Sequence, residues 1–556
     1  MWNELETDVL VVGSGGAGMF AAIEAVKEGQ RVLMVTKGTM GRDGSTIHAF
    51  PLIQSPLGHE DPRDNPKVFC EDILKRGFHI SNRKLVMAVT KAAVQPVLDL
   101  DKWGVPFKKR PDGRLVQEES FVPRLSTYAR AIEFPGPLSG PPIALALRRK
   151  VSELNVQVME YSMLTNLLTN QGEVVGGVIL DKSTGDICVV RAKSVILATG
   201  ACSEVFKVSL CPRNNTADGQ AIAYRAGAEM VDMEFVRFYN MALYPESIRG
   251  VNVHAKQLIE AGAKLPYDQT RGVAEIGLDP QHSDHGDPLK VFSVVKSGRG
   301  SVHGGVYFDV GDVPLESFNG IGCFETGRFL PRLGTSVLEL GPGVLVIDGG
   351  VKVDENCESS VEGLYATGDL LGGFWGASYT GATGIILALS SGCIAGRSAA
   401  KQASKMKMPL VSKAQIKGEV DRLTGILERR KKDGIRPNEL RRSLQEVMYC
   451  KVGIMRNEKG LKKAIEEIQG MKKEIPYLSV SSPIKCFNNE WTEVLEVTNL
   501  IETSEMIGRA ALMRKETRGD HHRDDFPDID QGWVKNIVII KGKGAMKLTI
   551  QPIKGQ

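Results

Sequence analysis

The chain mixes short, wholly apolar runs with amphipathic stretches. Residues 9–12, Val-Leu-Val-Val, carry no polar position, which predicts a strand covered on both faces. Phe20, Ile23 and Val26 then recur at helical spacing, Gly29 ends the pattern, and residues 31–35 predict a second strand. Residues 66–104 and 143–153 read as helical, whereas 105–142 are rich in Pro and Gly and predict irregular connections. Runs at 156–159, 163–169, 174–181 and 187–191 alternate as strands around Gly172 and the turn Ser183-Thr-Gly-Asp186, which predicts a β-meander inserted in the first domain. Residues 194–200 predict one more buried strand ending in glycine. Residues 344–347 and 364–369 return to the opening style after an irregular stretch, and 376–397 predict a helix of small residues. Residues 401–475 have helical periodicity and more basic than acidic side chains, and 534–553 predict a strand pair turning at Gly542-Lys-Gly544.

This order predicts an α/β protein. A Rossmann-like nucleotide-binding domain spans 1–235 and 344–400, interrupted by a substrate-capping α+β lobe over 236–343. A helical domain over 401–505 and a C-terminal segment over 506–556 with a short β tail follow. A length of 556 residues is too great for one core. The net charge of +4 is small for that length and gives no reason to expect nucleic acid as a partner. Nine cysteines occur without a CxxC pair, so neither a zinc site nor an internal iron–sulfur cluster is expected, and no metal is predicted. The N-terminus runs directly into the first strand and no stretch approaches the roughly 20 apolar residues of a membrane span. A cytoplasmic protein with no direct membrane span is the expectation.

The strongest chemical signal joins the first two strands. Gly13-Ser-Gly15-Gly16-Ala-Gly18 follows a strand and opens a helix, the setting in which GxGxxG marks a dinucleotide site. Gly13 permits the tight turn, Gly15 admits a pyrophosphate to the backbone, and Gly18 lets the helix pack on the strand. The helix N-terminus adds free N–H groups and a partial positive charge. An acidic residue ordinarily closes the second strand to bind a ribose. Here Thr36 and Lys37 stand there, which weakens the case for NAD without touching that for FAD.

Several further motifs fit one family. They are Gly44-Ser45-Thr46, Leu197-Ala-Thr199-Gly200, Asn215-Thr-Ala-Asp218-Gly, Arg225-Ala-Gly227 and Asp232-Met-Glu-Phe-Val-Arg-Phe238. Gly363-Leu-Tyr-Ala-Thr-Gly-Asp369, Gly376-Ala-Ser-Tyr-Thr-Gly381 and Thr517-Arg-Gly-Asp-His-His522-Arg523-Asp-Asp525-Phe-Pro527 complete the set. The chain resembles, nearly end to end, the flavoprotein subunits of succinate dehydrogenase and fumarate reductase, with L-aspartate oxidase and adenylylsulfate reductase as further relatives. The resemblance implies FAD. It puts Asp369 near the ribityl or pyrophosphate region and Thr383, Gly384 and Ile385 at a helix N-terminus facing the flavin N1–O2 edge, where a helix dipole stabilises the charge of the reduced ring. Membrane-bound relatives carry the flavin on a histidine of the early loop. Ser45 occupies that position here, so noncovalent FAD is implied, with His48 as a polar neighbour.

The dicarboxylate enzymes of that family share a Phe-His-Pro-Thr histidine, an arginine proton donor, a histidine before Gly-Gly and a Gly-Ala-Asn-Arg arginine. Two carboxylates need such cationic clamps, and an enoate carbon needs a proton as hydride arrives. In this chain Tyr239 replaces the first histidine and Tyr379 the last arginine, residues 338–343 hold no histidine, and Lys290 lies beside the donor position. An aromatic pocket with Trp375 is expected to take a larger or less charged organic acid or related small molecule than succinate. Tyr239, Tyr379, Lys290, Arg299, His522 and Arg523 are the catalytic candidates, with Arg237, His303 and His521 nearby. The absence of cluster cysteines makes a separate iron–sulfur electron-transfer subunit the expected partner; the basic stretch 401–475 reads first as a solvated helical bundle and second as a docking face for it. An adenylylsulfate reductase-like chemistry and an electron-transfer subunit without substrate chemistry are the alternatives.

Overall fold

The apolar run at 9–12 is the end of a longer strand, β1 (Asn3–Val12), whose last six residues are buried. In a computed structural model describing residues 2–118, 126–136, 138–253, 255–265, 288–314, 335–429 and 434–553, β1 is central to a seven-stranded sheet. It runs parallel to β2 (Val32–Val35), with Val9 opposite Val32, and parallel to Ile187–Leu197, with Val9 opposite Ser194. That second neighbour joins the two runs expected at 187–191 and 194–200 into one strand. Arg191 and Lys193 interrupt the apolar pattern because they pair with Glu6 and Asp8 of β1.

The expected meander is no insertion. Ser162–Asn170 and Glu173–Asp181 extend the same sheet antiparallel from Ile187–Leu197, and Leu364–Ala366 continues its other half in parallel. The small-residue helix also starts later than its composition suggests, at Gly384–Ala403. Residues 376–383 form a loop held open by positive φ at Gly376 (+65°) and Ala382 (+59°). The helix lies against α1 (Gly16–Lys27), and small residues allow it. A Cβ on Gly392 would stand 2.5 Å from the Ala17 carbonyl oxygen, and one on Gly396 2.4 Å from that of Ala21.

The chain leaves this α/β body after Asp232 and returns at Gly350. In between, Val236–Tyr244, Val337–Ile347 and Val306–Asp309 form a three-stranded cap sheet in the order first, second, third. It has its own core, including Val253, Leu258, Val294, Phe308 and Leu340. Residues 266–287 and 315–334, with Cys323, lie outside the described residues.

Helices Lys413–Glu428, Pro437–Lys451, Glu458–Glu474 and Asn489–Met513 follow, the last running past residue 505 as one 25-residue element. The tail strands Lys535–Lys541 and Met546–Pro552 form a hairpin that pairs back onto Met230–Val231 at the root of the cap. The fold is therefore α/β, a Rossmann-like domain interrupted by a capping lobe and followed by helices and a β tail. Among the described residues, no helix is long and apolar enough to cross a membrane, and no three His, Cys, Asp or Glu side chains are grouped to hold a metal.

Candidate functional site

The turn after β1 shows why three glycines stand where they do. Gly13 has φ +109°, and a Cβ there would lie 2.2 Å from the Ala198 oxygen. A Cβ on Gly18 would lie 1.9 Å from the Gly13 oxygen, so only hydrogen fits between helix and strand. Gly15 meets nothing closer than Thr46 Oγ1 at 3.5 Å and faces open space. That space is a cleft of about 1700 Å³ including its mouth, and Gly13, Gly15 and Gly16 line it. α1 begins there without a side-chain cap, apart from the Gly16 N–H, which donates to Thr46 Oγ1 at 2.9 Å.

Most of the predicted cofactor residues meet in this one cleft. Thr36, Lys37, Gly44, Ser45, Thr46, Thr199, Gly200, Asp218, Asp369, Gly384 and Ile385 all line it. Gly18 packs behind it, and Thr383 is buried at the N-cap of Gly384–Ala403, where its hydroxyl accepts from Trp375 Nε1 at 2.9 Å. Ser45 Oγ accepts from Asn215 Nδ2 at 3.2 Å, and Ser14 and Thr36 share a hydrogen bond of 2.8 Å. Lys37 donates to Asp218 at 2.9 Å, to Glu496 at 2.8 Å and to the Thr216 hydroxyl. Burial alone would lower the Lys37 ammonium, but Asp218 and Glu496 outweigh it and hold it above the ordinary lysine range. Glu496 carries no sequence signal. It lies on Asn489–Met513, 459 positions from Lys37, and no local pattern marks it.

The residues fit FAD. Two helix N-termini that their own N-cap side chains leave uncapped, those of α1 and Gly384–Ala403, open into the same cleft. Its Asp369 carboxyl is pushed up to about 6 by burial alone.

At the Gly384 end the wall is aromatic. Trp375 is fully buried and meets Tyr379 edge to face at 5.0 Å, and His48, Phe50, Leu345 and Val346 also line the cleft. Burial pushes the Tyr379 phenol above its ordinary range, so it remains an O–H donor at neutral pH. Among the described lining residues Lys37 and His48 are the basic side chains, and there is no arginine.

The other catalytic candidates stand elsewhere. Tyr239 is 4% exposed among Val208, Met241 and Leu243, under the Arg237 guanidinium at 5.2 Å. Lys290 lies on Pro288–Val294 and Arg299 on the turn after it, where its Nε donates to Ser297. His303 contacts Glu339 at 2.9 Å and stacks on Tyr244. Arg523 caps the end of Asn489–Met513, donating to the oxygens of Ala511 and Arg514 and to Asp525. His522 accepts from the Arg456 N–H through its backbone oxygen. His521 is fully buried, accepts from Arg456 at 2.6 Å, and is held neutral by burial and by that guanidinium.

Comparison with known proteins agrees with this geometry. The family described as FAD binding domain matches residues 8–265, and the one described as fumarate reductase flavoprotein C-term matches 441–556. One subunit of the fumarate reductase (CoM/CoB) of Methanothermobacter marburgensis is 31% identical over 97% of this chain and 98% of its own. The structure of Mycobacterium smegmatis Sdh1 in complex with UQ1 superposes with a TM-score of 0.89 at 27% identity, covering 100% of this chain and 95% of that one. Adenylylsulfate reductase from Archaeoglobus fulgidus superposes at 0.77 with 20% identity, covering 100% and 97%, which is a likeness of fold.

Proposed function

The chain belongs to the fumarate reductase and succinate dehydrogenase family of FAD-dependent flavoproteins, and from that premise we propose that it oxidises or reduces an organic substrate other than plain succinate or fumarate. Bound FAD supplies the hydride acceptor or donor. The rest falls to the chain. The N-terminus of Gly384–Ala403 stabilises negative charge on a reduced ring. Tyr379, a neutral phenol in the wall, offers a proton or hydrogen bond to a substrate oxygen. Trp375, Phe50, Leu345 and Val346 exclude water and contact an apolar or aromatic part of the substrate.

The observation that carries this reading is the absence of arginine from the described cleft lining. Among the described lining residues a buried dicarboxylate would meet Lys37 and His48 but no arginine fork to offset its desolvation. The test is an anaerobic titration with succinate, watching the flavin bands. We expect no bleaching with succinate and prompt bleaching with dithionite. Bleaching by succinate at stoichiometric amounts would remove the proposal.

We further propose noncovalent FAD and a separate iron–sulfur chain as electron partner. The absence of CxxC pairs supports the second. Ser45 has no ring nitrogen to alkylate, and His48 lies three positions on. Acid precipitation should leave all the flavin in the supernatant as FAD. Flavin retained on a peptide containing His48 would show an attachment that this reading lacks.

A further inference from the structure

The strands that lead into and out of the cap meet a C-terminal carboxylate beside the Tyr379 loop. Asp520 accepts from Arg237 Nη1 at 2.7 Å on one oxygen and from the Tyr379 backbone N–H at 3.2 Å on the other. Its own N–H donates to the Ala377 oxygen at 2.7 Å. The preceding Gly519, with φ +54°, presses so close that a Cβ would lie 2.0 Å from that same oxygen. Asp348 follows the cap's return strand and is fully buried. Its N–H donates to Phe235 at 3.0 Å, yet no described donor reaches either carboxyl oxygen. The charged group that acts on it most strongly is the Asp520 carboxyl, and both residues meet the segment entering the cap, Asp348 through the Phe235 oxygen and Asp520 through Arg237.

Two adjacent buried carboxyls cannot both be ionised without more cations than the described residues supply here. Arg237 already neutralises Asp520, so the proton sits on Asp348 and its O–H donates to Asp520. We propose that Asp348 and Asp520 form a carboxyl pair sharing one proton, and that this pair is a positioning site that holds the Tyr379 loop against the cap. Burial first, and the Asp520 charge second, keep Asp348 protonated well above the ordinary carboxyl range. The pair is therefore intact at neutral pH, and raising the pH removes the proton. Two buried negative charges then repel, and the tie to the Tyr379 N–H loosens. Among the described residues, the other groups facing the pair are Arg237 from the cap, Asp232 from the segment entering it, the Tyr379 phenol, and Arg456, which faces Asp520. Asp232 is itself pushed up to about 8 by burial and by Glu234, so its ionisation must be separated from that of the pair.

The inference rests on the FAD site above, and the test reads the cofactor's surroundings rather than turnover. Visible circular dichroism of the FAD-loaded full chain is followed from neutral to alkaline pH. The wild type should show a reversible alkaline change while flavin absorbance is retained. Asp348→Asn keeps a neutral hydrogen-bond donor at every pH, and should lose the change or shift its midpoint by more than about one pH unit. Asp232→Asn should leave it in place. Asp520→Asn should alter the flavin signal even at neutral pH. A flat wild-type titration, an Asp348→Asn titration superposable on the wild type, or loss of the change in Asp232→Asn would each overturn the proposal. Asp348→Asn and Asp232→Asn decide it even where Asp520→Asn does not fold. A protein that binds no flavin would contradict the FAD site itself, a failure distinct from a flat titration.

Discussion

Replacing Gly18 with alanine strips the protein of its flavin and destabilises it by about 3 kcal/mol or more, because one methyl group has nowhere to go. Its Cβ would lie 1.9 Å from the Gly13 oxygen, 2.9 Å from the Gly13 carbonyl carbon and 3.2 Å from the Ala198 Cβ. The nearest atoms are backbone of the tightest turn in the fingerprint, so no side chain can swing aside. Gly13 cannot yield either. It is at φ +109° with the Ala198 carbonyl behind it. Relief requires α1 to move off β1 by about an ångström, which carries the N–H groups of its first turn away from the phosphates they serve. α1 is also held by Gly384–Ala403 through Gly392 and Gly396, so the strain reaches the second helix that opens into the cleft. Gly15→Ala is the informative partner. Its Cβ meets nothing closer than 3.5 Å in the protein, so the fold should survive, but the methyl enters the space reserved for the cofactor. Thermal midpoint and bound-FAD content should therefore separate, with both falling in Gly18→Ala and FAD alone in Gly15→Ala. A Gly18→Ala protein with full flavin and an unchanged midpoint would refute this account of the turn.

Arg514→Met should lower the thermal midpoint by roughly three to four degrees, the second largest effect expected. Arg514 is fully buried at the end of Asn489–Met513. It donates to Glu234 at 2.8 Å, to Glu516 at 2.9 Å, and to the backbone oxygens of Trp533 at 3.0 Å and Lys535 at 2.9 Å. Phe235 and Trp533 flank its guanidinium at 4.8 and 5.4 Å. Methionine replaces the aliphatic stem, so most of the loss is electrostatic. Glu516 keeps Arg518, but Glu234 loses its described ion pair and keeps only the nearby Arg456, whose Nη1 donates to the Glu234 backbone oxygen, and breaking one side of a buried pair costs about 3–5 kcal/mol. The lost carbonyl partners lie just before and at the start of the tail hairpin, so that hairpin should become the first site of proteolysis. The Arg514→Met, Glu234→Met double variant should recover part of the loss, since removing both charges also removes the unpaired one. Equal midpoints for the wild type and Arg514→Met would show that the network contributes nothing.

The sequence alone determined the first βαβ unit, FAD as the cofactor and the interruption of the domain by a cap. Each of these rests on local chemistry: glycines whose missing side chains a turn requires, apolar runs at strand length, and motif residues close together in the chain. Local reading was weaker wherever an element is defined by a distant partner. Arg191 and Lys193 looked like a break between two strands because their partners, Glu6 and Asp8, lie on a neighbouring strand. Small residues at 376–383 looked helical, yet positive φ at Gly376 and Ala382 makes them a loop. Tertiary structure alone decided the rest. It joined Lys37 to Glu496, gathered Tyr379 but not Tyr239 into the described cleft lining, and buried His521 against Arg456 and Arg523 against Asp525. It also brought Asp348 and Asp520 together from segments that no sequence pattern connects. The physical reason is the same in each case. Side-chain period and turn chemistry act over a few residues, whereas ion pairing and burial depend on which surfaces the packed domains bring face to face.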